Sequence, residues 1–130
     1  MDAQSVTAPG SSTGIILFAH GSRDPLWHQP MEAVAAQIRQ RQPATPVSCA
    51  YLELSTPALP DAAAALVAGG VTTLRIFPVF LGVGRHARED LPALVAALRL
   101  AHPGVAIEQM PAAGEHAALI SLLADIAVSA

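Results

Sequence analysis

The sequence contains no lysine: all seven cations are arginine, set against ten acidic residues for a net charge of −3. A nucleic-acid binder carries a basic stripe, and none is present. Aromatic residues make up only 4% of the 130, so alanine, valine and leucine must build the core. A lone cysteine, Cys49, excludes an internal disulfide and fits a reducing compartment. No apolar run reaches the ~20 residues that a membrane helix needs; the longest, around 74–83, is cut by Pro78 and Gly82. Residues Met1–Thr13 lack the basic and apolar segments of a secretory leader. Their Ser, Thr, Ala and Gly read as a flexible tail before one domain over 14–130. The expectation is a cytoplasmic protein with no nucleic-acid and no membrane partner. There is no internal repeat and no linker. Phosphate-binding fingerprints are missing too: Gly82-Val83-Gly84 lacks the third spaced glycine, and no Gly-Lys-Ser/Thr occurs.

What is present is a hydrophobic content of 52% and a regular alternation of segments. Gly14–Ala19 is an unbroken apolar run, the pattern of a strand buried on both faces. Asp24-Pro25 precedes a helix over about Leu26–Arg41, with Trp27, Met31, Val34, Ala35 and Ile38 on one face. Val47–Leu54 predicts a second strand and Leu59–Ala68 a second helix, with Pro60 near its start and Gly69-Gly70 past its end. Val71–Leu81 holds a third strand, Gly82–Arg88 a loop and Glu89–Ala101 a third helix. Val105–Met110 and about Glu115–Val128 give a last strand and helix. The order β-α-β-α-β-α-β-α implies an α/β fold: a four-stranded parallel sheet with helices on both faces. Its outer strands would be exposed edges, for which a dimer is one remedy.

Ligands bind such sheets at the carboxyl ends of the strands. His20 sits there, at the end of the first strand, and His86 follows the third. Neutral imidazole binds first-row metals and serves as an acid or base near neutrality. Glu53, at the end of the second strand, offers a carboxylate to the same edge as a metal ligand or proton acceptor. Each has a plainer reading as a capping or solvated residue, and for Glu53 position alone does not decide. Arg23, Arg85 and Arg88 suit an anionic, carboxylate-bearing ligand, or pair with Asp24, Glu89 and Asp90. Gly82 and Gly84 allow close backbone approach, or serve a turn with positive φ. His28 and His102 read as surface or helix-end residues, His116 as a weaker candidate for the same edge, and Cys49 as a packing residue. Ser22 has no partner set of the Gly-x-Ser-x-Gly kind.

Three motifs in this order, Phe18-Ala19-His20-Gly21-Ser22-Arg23-Asp24-Pro25, Tyr51-Leu52-Glu53-Leu54-Ser55-Thr56-Pro57-Ala58-Leu59-Pro60 and Pro78-Val79-Phe80-Leu81-Gly82-Val83-Gly84-Arg85-His86-Ala87-Arg88-Glu89-Asp90-Leu91-Pro92, resemble the small CbiX/SirB-type sirohydrochlorin chelatases, class II tetrapyrrole chelatases. The resemblance runs from about Gly14 to the last helix. It implies a lyase that inserts divalent cobalt or iron into sirohydrochlorin, towards cobalamin or siroheme. Co²⁺, Fe²⁺ or Ni²⁺ would be substrate, with no permanently bound cofactor. It implies that His20 and His86 bind the metal and share in catalysis, with Glu53 as a third participant. Arg23 and Arg85 would hold the peripheral carboxylates, Ser22, Gly82 and Gly84 would lie against the substrate, and Leu81 and Val83 would pack on the macrocycle. Short members of the family resemble one half of a two-domain relative and act as homodimers. The histidine-rich stretch of some members is missing here, so metal storage is unsupported. Two other readings stay open: a non-catalytic carrier of metal or tetrapyrrole, and a phosphate-ester hydrolase, against which the order His20-Gly21-Ser22-Arg23 counts.

Overall fold

A computed structural model describes residues 12–129. The tail expected over 1–13 lies outside them except for Ser12 and Thr13, and Thr13 already belongs to a strand. The strands are β1 (Thr13–Ala19), β2 (Val47–Tyr51), β3 (Thr73–Pro78) and β4 (Ala106–Gln109). The helices are α1 (Gln29–Arg41), α2 (Leu59–Ala68), α3 (Arg85–Ala101) and α4 (Ala117–Val128). Short 3₁₀ turns at Pro25–His28 and Ala113–Glu115 precede α1 and α4.

All strand pairings are parallel, in the order β2-β1-β3-β4. The central strands are the unbroken apolar ones: Ile16, Leu17, Phe18 and Ala19 of β1 are buried, as are Leu74 and Ile76 of β3. β2 and β4 form the two edges, and β4 carries exposed Glu108 and Gln109, as an edge tolerates. Right-handed crossovers on this strand order place α1 on one face and α2 and α3 on the other. The apolar core divides that way. Met31 and Ala35 of α1 pack with Leu17, Ala19, Cys49 and Tyr51. Leu59, Ala62 and Ala63 of α2 join Leu91, Val95 and Leu98 of α3 over Ile16, Phe18, Leu74 and Ile76.

Of the boundaries that differ from the sequence reading, three bear on the carboxyl edge. β2 stops at Tyr51 rather than Leu54, because the chain doubles back: the Tyr51 N–H donates to Pro57 O at 3.0 Å. The long apolar run of β3 ends at Pro78, which has no N–H for the ladder. α3 starts at Arg85, not Glu89, capped by the backbone of Gly84, so His86 and Arg88 are helical rather than in a loop. Pro92 lies inside α3, within the helix already expected over Glu89–Ala101. It leaves the Arg88 carbonyl without its usual helical donor.

Strand order reverses between β1 and β3: the chain passes from β1 outward to β2, then crosses back to β3. Open α/β sheets form their binding crevice at such a point, beyond the carboxyl ends of the two strands. His20 follows β1 there, and Phe80 and Leu81 follow β3.

Candidate functional site

Four loops meet at the carboxyl edge, and backbone contacts tie them together. The Glu53 N–H donates to His20 O at 3.0 Å, and the Leu52 N–H to Ala19 O at 2.8 Å, joining the loops after β2 and β1. The His20 ring lies tilted on Phe80, with centroids 4.5 Å apart, joining the loops after β1 and β3. The Gly114 N–H donates to Phe80 O at 2.8 Å, joining the loops after β3 and β4. His20 is half-buried at the centre of this arrangement.

Two glycines allow the loops to come so close. Gly21 has φ +99°, and a Cβ there would overlap the Glu53 carbonyl oxygen. A Cβ on Gly114 would likewise overlap the backbone of Leu81. Gly82 and Gly84, the pair singled out by the sequence, have open space where a Cβ would stand, and neither has a positive φ. Their positive-φ reading is corrected; what they offer is room in front of the backbone.

His86 stands exposed in the first turn of α3. Together with Glu53, Leu52 and Asp90 it lines a cavity of about 320 Å³. Asp90 is the residue that the sequence reading missed as a site candidate. It lies four residues after His86, hence on the same helix face, a relation hidden while α3 was taken to begin at Glu89. A second cavity, of about 340 Å³, opens between α3 and the loop after β4, lined by Phe80, Val83, Arg88, Met110 and Glu115 among others. Phe80 thus touches His20 and also borders this apolar slot. Among the described residues no three His, Cys, Asp or Glu side chains converge to enclose a metal ion.

The remaining candidates are placed as follows. The Ser22 hydroxyl accepts from the Asp24 N–H at 3.0 Å, and the Asp24 carboxylate from the Leu26 N–H at 3.0 Å, which shapes the turn into α1. Arg23 is exposed beside them. Arg85 reaches Glu89 at 3.4 Å one helical turn on, with its side chain 82% exposed; such surface pairs contribute little and leave the guanidinium free to turn to another anion. Arg88 is exposed at the mouth of the apolar slot. Leu81 is exposed and Val83 half-buried; Leu26 and Leu54 are exposed on neighbouring loops of the same edge, adding to an apolar rim.

His28 is corrected from a surface residue to a half-buried one. Its Nε2 lies 2.8 Å from Ser55 Oγ, and its ring packs on Tyr51 with centroids 4.8 Å apart. Ser55 Oγ donates to Ser22 O at 2.7 Å and accepts from the Ser22 N–H at 2.9 Å. Its only proton is therefore used, and His28 must donate through Nε2–H. His116 packs edge-on against Phe77, with Nε2 3.2 Å from Pro111 O. Cys49 is buried, 3.6 Å from Met31 O; burial first, then the Glu32 carboxylate, push its thiol up to about 12. A thiol held protonated is inert, which agrees with a packing role. Burial likewise pushes the Tyr51 hydroxyl up to about 12, with Cys49 and Glu32 adding to it.

The fold and the edge define an α/β domain with histidines presented at the crevice of a parallel sheet, in the chelatase-like arrangement. Comparison with known proteins makes this specific. The CbiX family model matches residues 14–130, and the chain belongs to that family. It is 34% identical over 95 residues to sirohydrochlorin cobaltochelatase of Methanothermobacter thermautotrophicus, covering 73% of this chain and 64% of that protein. It is 28% identical over 116 residues to the chloroplastic sirohydrochlorin ferrochelatase of Arabidopsis thaliana, covering 89% and 52%. Among solved structures, the CbiX protein of Marinobacter aquaeolei VT8 superposes with a TM-score of 0.77 at 32% identity, over 88% of this chain and 93% of that one. SirB from Bacillus subtilis with Fe³⁺ shares the fold with a TM-score of 0.73 at 24% identity, over 91% of this chain and 48% of that one. The chain thus spans less than two thirds of the length of the two curated relatives.

Proposed function

We propose that this chain inserts a divalent first-row metal, cobalt or iron, into sirohydrochlorin on the way to cobalamin or siroheme. The observation that carries the reading is the CbiX match over residues 14–130 together with His20 at the reversal point of the sheet and His86 on the adjacent helix. The named relatives are cobalto- and ferrochelatases of the same ring, which supports the substrate and leaves both metals in play.

The chemistry asks for little from the protein. The ion must shed water, and the pyrrole nitrogens must give up two protons. His20 and His86 hold the ion with open positions for the incoming nitrogens. Glu53, beside His86, accepts a released proton. Asp90 lines the same cavity and adds a second carboxylate to attract the cation. The absence of a closed three-ligand cluster among the described residues suits a metal that must leave: few ligands mean modest affinity. Arg23, Arg85 and the N-terminal turn of α3, whose first N–H groups have no side-chain cap, attract the substrate's carboxylates. Leu54, Leu81 and Val83 offer apolar surface to the macrocycle. Two copies with their carboxyl edges apposed form the working unit, since one edge alone covers only one side of a flat ring. No helix of the described residues is long and apolar enough to cross a membrane.

Metalation of sirohydrochlorin, followed by visible absorbance with Co²⁺, Fe²⁺ and Ni²⁺, tests this. Wild type accelerates insertion above the spontaneous rate, and His20→Ala and His86→Ala fall back to it. Binding of ion and ring without acceleration by wild type would instead make the chain a carrier.

A further inference from the structure

Among the described residues Leu54 is the one non-glycine with a positive φ, at +64°. That region crowds a Cβ against the backbone, and glycine, asparagine or aspartate occupy it more cheaply. A leucine persists there only where its surroundings hold the backbone in place. They do so on both sides. The Glu53 N–H is bonded to His20 O at 3.0 Å. Ser55 Oγ donates to Ser22 O at 2.7 Å and accepts from the Ser22 N–H at 2.9 Å. Leu54 lies between these ties, in the segment that doubles back to put Pro57 O on the Tyr51 N–H.

The chain's own core gains nothing from this leucine. Leu54 is 55% exposed and belongs to neither apolar cluster, whereas Leu52, two residues before it, packs on the larger one. Glycine here would spare both the strain and the exposed apolar surface. Residues held in such conformations cluster at active sites and ligand clamps, and Leu54 adjoins one. Glu53, the residue before it, lines the cavity shared with His86 and Asp90. The loops after β1 and β3 each carry an exposed leucine as well, Leu26 at 66% and Leu81 at 67%. Single exposed leucines are ordinary on a surface; a strained one next to the candidate proton acceptor is not. A hydrated metal ion or a phosphate ester gains nothing from a leucine at this place. A flat ring with apolar faces and carboxylates at its rim gains contact from it, and exposed Arg23 and Arg85 are on the same edge for the rim.

We propose that Leu54 is a ring-binding residue: its side chain packs on one face of the tetrapyrrole and sets the ring beside Glu53, and the fold holds it in a strained conformation for that contact. This rests on the chelatase reading above and adds to it the residue that recognises the macrocycle rather than the metal. Removing the side chain therefore relieves the backbone while it weakens the ring, a combination that a residue packed for stability does not give.

The test titrates metal-free sirohydrochlorin, followed by its own fluorescence, into wild type, Leu54→Gly, Leu54→Met and Leu100→Gly, an exposed-leucine control on α3. Urea unfolding and Co²⁺ binding without the ring are measured on the same proteins. Leu54→Gly is expected to bind the ring about tenfold more weakly, the loss that corresponds to about half of a leucine's burial. Leu54→Met restores most of that binding, and Leu100→Gly binds like wild type. Leu54→Gly keeps or exceeds the wild-type urea midpoint, and its Co²⁺ binding is unchanged. A loss of ring binding below about threefold, an equal loss in Leu100→Gly, a urea midpoint of Leu54→Gly below that of wild type, or weakened Co²⁺ binding overturns the proposal. Metalation is scored separately. A wild type that binds the ring through Leu54 without accelerating insertion loses only the chelatase reading. One that accelerates insertion while Leu54→Gly binds the ring as tightly loses only this inference, and one that binds no ring loses both.

Discussion

Replacing Gly21 by alanine is the sharpest perturbation of the site that leaves every candidate side chain chemically unchanged. The glycine sits at φ +99°, where an L side chain is strained by about 1–2 kcal/mol. Its Cβ would also overlap the Glu53 carbonyl, so the loops after β1 and β2 must part. Parting them breaks the hydrogen bonds from Glu53 N–H to His20 O and from Ser22 N–H to Ser55 Oγ, each worth about 1 kcal/mol. The sum is roughly 3–4 kcal/mol. A domain of this size has a stability of about 6–20 kcal/mol, so the variant folds, with Tm lowered by on the order of 10 °C. Metal insertion falls further than stability does, because the displaced segment carries His20. Gly82→Ala is the matched control: nothing stands near its Cβ, its φ is not positive, and its stability changes by less than about 0.5 kcal/mol. Urea unfolding of both variants, with metalation rates measured well below Tm, checks the pair. Equal stability of Gly21→Ala and Gly82→Ala would refute the account of how the loops are joined.

Ser55→Ala removes three hydrogen bonds at once and strands the Ser22 N–H, for an expected loss of about 2–3 kcal/mol in a urea melt. The Tyr51 hydroxyl is buried with no hydrogen-bond partner among the described residues, so Tyr51→Phe stabilises, by up to about 1 kcal/mol, where an ordinary tyrosine loses stability. Cys49 and Tyr51, both raised to about 12, stay protonated in the folded chain while the unfolded chain releases its protons from pH 9 upward. Their contribution is complete below pH 9 and is lost between pH 9 and 12, with a slope of about 1.4 kcal/mol per pH unit for each proton in the window. Cys49→Ala flattens that alkaline slope in pH-dependent melts, and an unchanged slope would rule the thiol out as its source.

How much of this was legible in the sequence differs by kind of feature. The apolar runs of β1 and β3 announced a parallel sheet because central strands are buried on both faces, and placing His20 at a strand end followed directly. His86 was located but put in a loop instead of the first turn of α3. The glycines before Arg85 read as a loop running on to Arg88, whereas the helix begins at Arg85, directly after Gly84. That error concealed Asp90, whose relation to His86 exists only if both lie on one helix. The glycines show the same limit more clearly. Gly82 and Gly84 drew attention as a local pattern, whereas Gly21 and Gly114 matter through contacts with Glu53 and Leu81, 32 and 33 residues away in the chain; no local pattern records a contact made across the fold. His28 was misplaced for the same reason, since Ser55 and Tyr51 come to it from another strand and loop. α4 is the opposite case. Its sequence states that it is buried, and the single chain does not bury it. Among the described residues nothing covers its apolar surface.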